Sequence, residues 1–147
     1  MIVSGRCQCS QVEYKFDTED VISAHHCHCK DCQRSTGSGK ATIIYIPNKK
    51  LDLQGELKFY QSKGSMGSTI KRGFCEKCGS GVMSYAKEMP MLKFIKAGTL
   101  DDSSWLEIDS SFFAKSANNW NSPEKDIKSY KGNPDLLSNL KSLIKSL

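Results

Sequence analysis

The sequence lacks any hydrophobic run long enough to cross a bilayer. Its longest aliphatic stretch covers only residues 43–46, whereas a transmembrane helix needs about 20 consecutive, mostly apolar residues. Residues 1–7 also lack the basic segment and the following apolar segment of a secretory signal. Together these absences favour a protein that acts in the cytoplasm and has no membrane partner.

A block of basic residues interleaved with aromatic ones is also absent. The net charge is +5, from 21 lysines and arginines against 16 acidic residues, and apart from Lys49 and Lys50 the lysines are scattered. Scattered charge is typical of a solvated surface, whereas a nucleic-acid interface needs a concentrated basic patch. We therefore expect no nucleic-acid partner, and attraction of anionic ligands is the alternative use of the charge.

No internal repeat and no low-complexity linker divides the chain. A length of 147 residues is ordinary for one domain and allows a hydrophobic core, so that folding does not depend on metal alone. We expect a single domain over residues 1–147.

Strand-like segments account for most of the chain. They are short, they alternate in polarity or are rich in β-branched residues, and glycines separate several of them. The predicted strands cover residues 11–16, 21–26, 41–46, 57–60, 68–74, 82–85, 92–97 and 108–114. This pattern predicts a mainly β fold of short antiparallel strands.

One helix is predicted near the C-terminus, over residues 134–146. Asn133 suits the N-cap and Pro134 suits the first helical position. Leucines then recur at spacings of four, three and four residues, at Leu136, Leu140, Leu143 and Leu147. This apolar stripe indicates a helix that packs on the core, and a helix that binds a partner is the alternative.

Seven cysteines are the most informative residues of the chain. They occur in tight clusters, at Cys7 and Cys9, at Cys27, Cys29 and Cys32, and at Cys75 and Cys78. An odd number of cysteines in a reducing compartment disfavours structural disulfides. Cysteines separated by one or two residues instead present several thiolates to one metal ion, and a tetrahedral zinc site takes four ligands.

Seven thiolates divide naturally into four and three. The two pairs suit a closed structural zinc site, and we call them the four-cysteine group: Cys7, Cys9, Cys75 and Cys78. The others, which we call the three-cysteine group, are Cys27, Cys29 and Cys32. Three ligands leave one position of a zinc ion free for water or for a substrate thiol. The alternative is a site closed by a nearby histidine, for which the candidates are His25, His26 and His28.

Four segments of the sequence resemble the motifs of a known family. Residues 5–9, 27–37, 72–80 and 98–102 are similar, in this order and with all seven cysteines, to the motifs of the glutathione-dependent formaldehyde-activating enzymes, the GFA or CENP-V-like zinc family. The likeness runs from about residue 5 to about residue 120. Each motif is weak alone, whereas the ordered set is specific.

The resemblance implies a GFA-like fold with two zinc ions per chain. It implies that the four-cysteine group holds a structural zinc and that the three-cysteine group holds a catalytic zinc. The implied activity is that of a carbon–sulfur lyase, which joins glutathione and formaldehyde as S-(hydroxymethyl)glutathione or separates them. The implied partner is therefore a small-molecule thiol such as glutathione.

Glutathione carries two carboxylates, so a site for it should offer cations. Lys30, Arg34 and Arg72 lie near the cysteines in sequence, and we expect Arg34 to be the substrate contact. Ser35, Thr36 and Ser38 suit either ligand binding or the capping of a turn, and capping is the expected use.

A different class of function has to be weighed against the enzyme. A non-catalytic zinc module of the same fold would bind a protein partner and would need no open metal position. Such a module could dispense with Cys27, Cys29 or Cys32, and all three are present. The sequence therefore favours the enzyme.

Overall fold

The computed structural model describes residues 1–64 and 67–133. Within these ranges the chain forms one α-helix, α1 (Lys30–Thr36), and eleven strands. The strands are β1 (Ile2–Arg6), β2 (Glu13–Asp17), β3 (Ser23–Cys27), β4 (Ala41–Pro47), β5 (Asp52–Gln54), β6 (Lys58–Lys63), β7 (Thr69–Phe74), β8 (Gly81–Ala86), β9 (Leu92–Lys96), β10 (Ser110–Phe112) and β11 (Lys128–Ser129). The predicted helix over residues 134–146 lies outside the described residues.

The strands form two sheets. The small sheet has the order β1-β2-β5, and the large sheet has the order β11-β10-β3-β4-β9-β8-β7-β6. All strand pairs are antiparallel except those of β10 with β3 and with β11. The fold is therefore mainly β and mostly antiparallel, as predicted.

The first face of the large sheet forms the main core. Successive side chains of a strand point to opposite faces, and on β4 this sends Ile44 and Ile46 to the same side, where both are fully buried. Ile95 on β9 pairs with Ile44, and the cluster continues into Tyr14 and Phe16 of the small sheet. Each fully buried side chain of this kind contributes about 1.5–3 kcal/mol relative to an exposed one.

The second face of the large sheet carries a smaller cluster and the cysteines that end β3. Ile43 of β4 is buried on this side with Cys27, Cys32 and Phe112. Because β4 is covered on both faces, its sequence reads as a continuous apolar run and not as an alternation.

Three short strands and the helix α1 were not predicted from the sequence. β1, β5 and β11 are only five, three and two residues long. The helix begins after Cys29, whose sulfur accepts a hydrogen bond from the amide of Cys32, and it ends at Gly37 with φ of 67°. Cysteine is outside the usual N-cap residues, so the start of α1 carries no ordinary signal.

None of the described helices is long and apolar enough to cross a membrane.

Gly5 is required by the packing of the small sheet, and its replacement provides a test of the fold. A Cβ atom at Gly5 would overlap the ring of Tyr14, whose hydroxyl is hydrogen-bonded to Thr99 Oγ1 at 2.8 Å. We expect Gly5→Ala to lower the free energy of unfolding by about 1–3 kcal/mol, as measured by denaturant titration of the metal-loaded protein. Gly81→Ala is the control, because a Cβ there meets no atom within 4 Å, and it should change stability by no more than about 0.5 kcal/mol. Equal stabilities of the two variants would contradict this packing.

Candidate metal centres and the adjoining cavity

The four-cysteine group is built from two turns in different sheets. Cys7 and Cys9 lie in the turn between β1 and β2, and Cys75 and Cys78 lie in the turn between β7 and β8. The four sulfurs all lie within 4.8 Å of one another. The group therefore joins the small sheet to the large sheet through sulfur atoms that are 66 or more residues apart in sequence.

Backbone groups hold both turns in shape. The Cys7 amide donates to the Val12 carbonyl at 3.0 Å, and the Val12 amide donates back to Cys7 Sγ at 3.3 Å. In the other turn the Gly79 amide donates to the Cys75 carbonyl at 2.7 Å, and Gly79 has φ of 80°, which favours glycine. Gly79 thus lets the second turn direct its thiols to one point without strain, whereas the first turn has Ser10 at φ of 66°.

Ser80 connects the two turns and was not singled out from the sequence. Its hydroxyl oxygen accepts a hydrogen bond from the Gln8 amide at 3.1 Å and lies 3.2 Å from Cys78 Sγ. Hydrogen bonds from the side chain and the amide of Ser80 lower the pKa of Cys78 to about 5. A lowered pKa favours the thiolate, which is the form that binds metal.

The sulfur spacing of this group fits a tetrahedral metal site. Cys7 Sγ lies 3.7 Å from Cys9 Sγ, and Cys9 Sγ lies 3.6 Å from Cys75 Sγ. A zinc ion with four sulfurs at about 2.3 Å requires a sulfur–sulfur separation of about 3.8 Å. The observed separations are much longer than the roughly 2.05 Å of a disulfide bond, and all seven cysteines are free.

The three-cysteine group lies where β3 meets α1. Cys27 is the last residue of β3, Cys29 is the N-cap of α1, and Cys32 lies in the first turn of the helix. Their sulfurs lie within 4.8 Å of one another, and Cys27 and Cys32 are buried. Within the parts of the chain that the structure describes, no histidine or carboxylate completes the group.

Buried Gln33 fixes the position of α1 and therefore of Cys29 and Cys32. Its amide nitrogen donates to the carbonyls of His28 and Ser116, at 2.8 Å and 3.0 Å. Its amide oxygen accepts from Asn118 at 2.9 Å. The amide oxygen also accepts from Lys30 of the same helix at 3.4 Å. Most of the hydrogen bonds of this side chain thus tie α1 to the chain segments around it.

The three sulfurs share hydrogen bonds unequally. Hydrogen bonds from the thiols of Cys27 and Cys29 lower the pKa of Cys32 well below its usual value, and the positive charges of Lys96 and Arg72 lower it further. The pKa of Cys27 is raised for the converse reason, since its hydrogen bonds to Cys29 and Cys32 need the proton. The negative charge of the group is therefore favoured on the sulfur of Cys32.

The histidines considered as a fourth ligand lie elsewhere. Both ring nitrogens of His25 lie 2.8 Å from hydroxyl oxygens, those of Ser23 and Ser110. His26 Nδ1 lies 2.8 Å from Thr42 Oγ1, and its Nε2 lies 3.3 Å from a carboxylate oxygen of Glu124. His28 is fully buried and belongs to neither cysteine group.

A cavity of about 440 Å³ opens directly beside the three-cysteine group. We call it the cysteine cavity. Its apolar wall consists of Ile43, Tyr45, Phe94, Phe112 and Phe113. Its charged lining residues are Lys30, Asp31, Arg72, Lys96 and Lys115.

The sequence candidates for an anion contact have different positions. Lys30 and Arg72 line the cysteine cavity. Arg34 lies in the last turn of α1, is exposed, and is not among the residues that line the cavity. Ser35 and Thr36 donate to the Cys32 carbonyl at 3.1 Å and 2.8 Å, so both hydroxyls serve the end of the helix.

Several cavity residues carry no sequence signal. Phe94 and Lys96 are two residues apart on β9, so their side chains point to the same face of the sheet, where both line the cavity. Phe113 has φ of 55°, an uncommon value for an aromatic residue. Only the pairing of distant strands brings these side chains to the cysteines.

Comparisons with known proteins agree with the motifs. The model of the family described as "Glutathione-dependent formaldehyde-activating enzyme" matches residues 2–116. A solved structure of a protein from Rhodobacter sphaeroides resembles this chain with a TM-score of 0.52 and 22% sequence identity, over 71% of this chain and 96% of that one. At this identity the likeness concerns the fold alone. No curated protein matches the sequence.

The two cysteine groups lead to a prediction about metal content. We expect two zinc ions per chain, of which the ion in the three-cysteine group is lost first on mild chelation, because it has fewer protein ligands. Metal analysis at increasing chelator concentration measures this order. A protein that holds a single zinc even after reconstitution would contradict it.

The same division predicts unequal effects on stability. Cys75→Ser should lower the free energy of unfolding by more than about 4 kcal/mol, because it removes a ligand of the group that joins the two sheets. Cys29→Ser should cost less than about 2 kcal/mol, because serine retains an N-cap oxygen for α1. Thermal unfolding of both variants with added zinc checks this. Comparable losses in the two variants would show that the three-cysteine group is equally structural.

Proposed function

The chain belongs to the family of glutathione-dependent formaldehyde-activating enzymes, and from this premise we propose that it is a zinc-dependent enzyme of the carbon–sulfur lyase type. Its substrate would be a thiol adduct such as S-(hydroxymethyl)glutathione. The observation that supports this function best is the three-cysteine group at the wall of the cysteine cavity. A group of three thiolates beside an open cavity suits a metal position that a substrate can reach.

The two groups would have separate roles. The four-cysteine group would hold a structural zinc, because it joins two sheets and its sulfurs fit a closed site. The three-cysteine group would hold the catalytic zinc. When bound there, zinc lowers the pKa of an approaching thiol and polarises a carbonyl oxygen.

The reaction itself needs no oxidant or reductant. In the direction of synthesis the sulfur of the thiolate attacks the carbonyl carbon of the aldehyde, the carbon–sulfur bond forms, and the carbonyl oxygen takes up the proton that the thiol released. Cleavage is the reverse. The protein has to favour the thiolate and to orient the two reactants.

The residues of the cysteine cavity suit these tasks. Lys96 and Arg72 place positive charge near the sulfur of Cys32, and the same charge favours an incoming thiolate over a thiol. Ile43, Phe94 and Phe112 give the cavity an apolar wall that limits the water around the reacting atoms. Arg34 remains the sequence-based proposal for a substrate contact, and it would reach only a ligand that extends to the exposed end of α1.

We extend the proposal to the setting of the protein. It would act as one domain over residues 1–147 in the cytoplasm, since a reducing compartment keeps its seven free cysteines available for metal.

Exchange of formaldehyde between solution and glutathione tests the enzyme directly. We expect the zinc-loaded protein to accelerate the interconversion of glutathione and S-(hydroxymethyl)glutathione, as measured by magnetization-exchange NMR. Cys32→Ser should abolish the acceleration, whereas Ser38→Ala, an exposed substitution nearby, should retain it.

The cobalt-substituted protein provides a second measurement that does not depend on turnover. Glutathione should strengthen the thiolate-to-cobalt absorption bands of the wild type and should leave those of Cys32→Ser unchanged. If the fully loaded wild type shows neither faster exchange nor a spectral change with common cellular thiols, the enzyme proposal fails. The non-catalytic module that binds a protein partner then replaces it.

A further inference from the structure

A second cavity meets the cysteine cavity at two cationic side chains. It has a volume of about 660 Å³, and of the residues that the structure describes it shares only Arg72 and Lys96 with the cysteine cavity. These two side chains therefore lie at the boundary between the cysteine cavity and the larger second cavity.

Strand register explains why the two cations share one face of the large sheet. Arg72 of β7 pairs with Ser84 of β8, and Ser84 pairs with Phe94 of β9. Residues directly opposite each other point to the same face of an antiparallel sheet, as do residues two apart on one strand. Lys96 is two residues after Phe94, so it lies on this face beside the row that contains Arg72.

Neither cation is neutralised by a carboxylate of the protein. Among the described residues, no ion pair includes Arg72 or Lys96. Arg72 Nη1 donates to Ser62 Oγ at 3.0 Å, but its buried Nε has no hydrogen-bond partner. Asp31 is the one acidic residue of the described chain that lines either cavity, and it is exposed. A buried donor without a partner is costly, so the guanidinium of Arg72 is not fully satisfied by the described part of the protein.

The second cavity has the lining of a site for a polar, extended ligand. Its hydroxyl groups come from Ser35, Thr36, Tyr60, Thr42 and Thr99, and all of these except that of Tyr60 also make hydrogen bonds within the protein. Gly79, Gly81 and Gly98 also line it, and a Cβ at any of the three would meet no atom within 4 Å. The absence of side chains at these positions leaves open space for a ligand beside the backbone.

We propose that Arg72 and Lys96 bind a carboxylate of the thiol substrate at the junction of the two cavities. The sulfur of this substrate points to the three-cysteine group, and the rest of the molecule extends into the second cavity. The inference rests on the proposed function for the position of the sulfur. It adds that the site selects extended, peptide-like thiols that carry a carboxylate, and that Arg72 and Lys96, not Arg34, determine this selection.

Charge compensation is the other reading of the two cations. Arg72 and Lys96 would then only offset the negative charge of the three thiolates, and every thiol would depend on them equally. A comparison of ligands separates the two readings, because the carboxylate contact acts only on thiols that carry a carboxylate.

The first experiment compares 3-mercaptopropionate with 2-mercaptoethanol by titration calorimetry of the zinc-loaded protein. The wild type should bind the carboxylate compound at least about tenfold more tightly, since hydrogen bonds to charged groups are the strong ones. Arg72→Gln and Lys96→Met should each remove most of this preference, because they weaken the binding of 3-mercaptopropionate about tenfold more than that of 2-mercaptoethanol. Arg34→Gln is the matched control and should bind both thiols as the wild type does. Zinc content and melting temperature establish that each variant is folded and loaded.

Three outcomes would overturn the assignment. Equal losses for both thiols in Arg72→Gln would identify charge compensation alone. An unchanged preference in Arg72→Gln and Lys96→Met would show that the carboxylate binds elsewhere, and a loss in Arg34→Gln would place it at the end of α1.

S-methylglutathione distinguishes the failure of this inference from the failure of the proposed function. This compound keeps the carboxylates but has no free thiol. If it binds to the wild type and about tenfold more weakly to Arg72→Gln, the anion site stands even when no carbon–sulfur chemistry is found. If it binds equally to both proteins, the anion site is wrong even when the enzyme is active.

Gly98→Leu tests whether the ligand enters the second cavity. Space beside Gly98 is open and its backbone has no positive φ, so leucine fills the cavity without strain. We expect at least about a tenfold loss of affinity for glutathione and no loss for the shorter 3-mercaptopropionate. Equal affinities of Gly98→Leu and the wild type for glutathione would exclude this cavity as part of the site.

Discussion

The structure depends on the alternation of side chains along the central strands of the large sheet. On β4, Ile44 and Ile46 enter the main core, whereas Ile43 and Tyr45 face the cysteine cavity. Because the small sheet covers only the first face, the second face is free to carry a site. A shift of register by one residue would exchange the two faces and place aliphatic side chains in the cavity and cysteine in the core.

The cysteine groups use this framework in two different ways. The four-cysteine group lies in turns, and it joins β1–β2 to β7–β8 across the boundary between the sheets. The three-cysteine group lies at the junction of β3 and α1, within one continuous segment of six residues. A metal in the first group closes a long loop of chain, whereas a metal in the second group adds little to the topology. This contrast is the physical basis for assigning structure to one group and chemistry to the other.

The charges around the cysteine cavity fit a negatively charged ligand. Arg72 and Lys96 have no acidic partner among the described residues, and no acidic residue lines the second cavity. Cations that are partly removed from water and lack a counter-ion are unfavourable in the free protein. Binding of an anion would recover this energy, so the same two side chains can favour a thiolate on one side and a carboxylate on the other.

Much of this protein follows from the sequence alone. The spacing of the cysteines indicates two metal sites with four and three ligands, because sulfurs two or three positions apart in a turn can reach one metal ion. Eight of the strands were also predicted, since their apolar or alternating patterns are local signals. The sequence did not reveal α1, which begins at a cysteine, or the short strands β1, β5 and β11.

Tertiary structure alone decided which cations face the cysteines. Lys30 and Arg34 are both close to Cys32 in sequence, but only Lys30 lines the cavity, and Arg34 is exposed on α1. Arg72, the third candidate, and Lys96, which was not a candidate, are distant from Cys32 in sequence and also line the cavity. The reason is that proximity within a sheet is set by the pairing of β9 with β8 and of β8 with β7, and no local pattern specifies that order of strands.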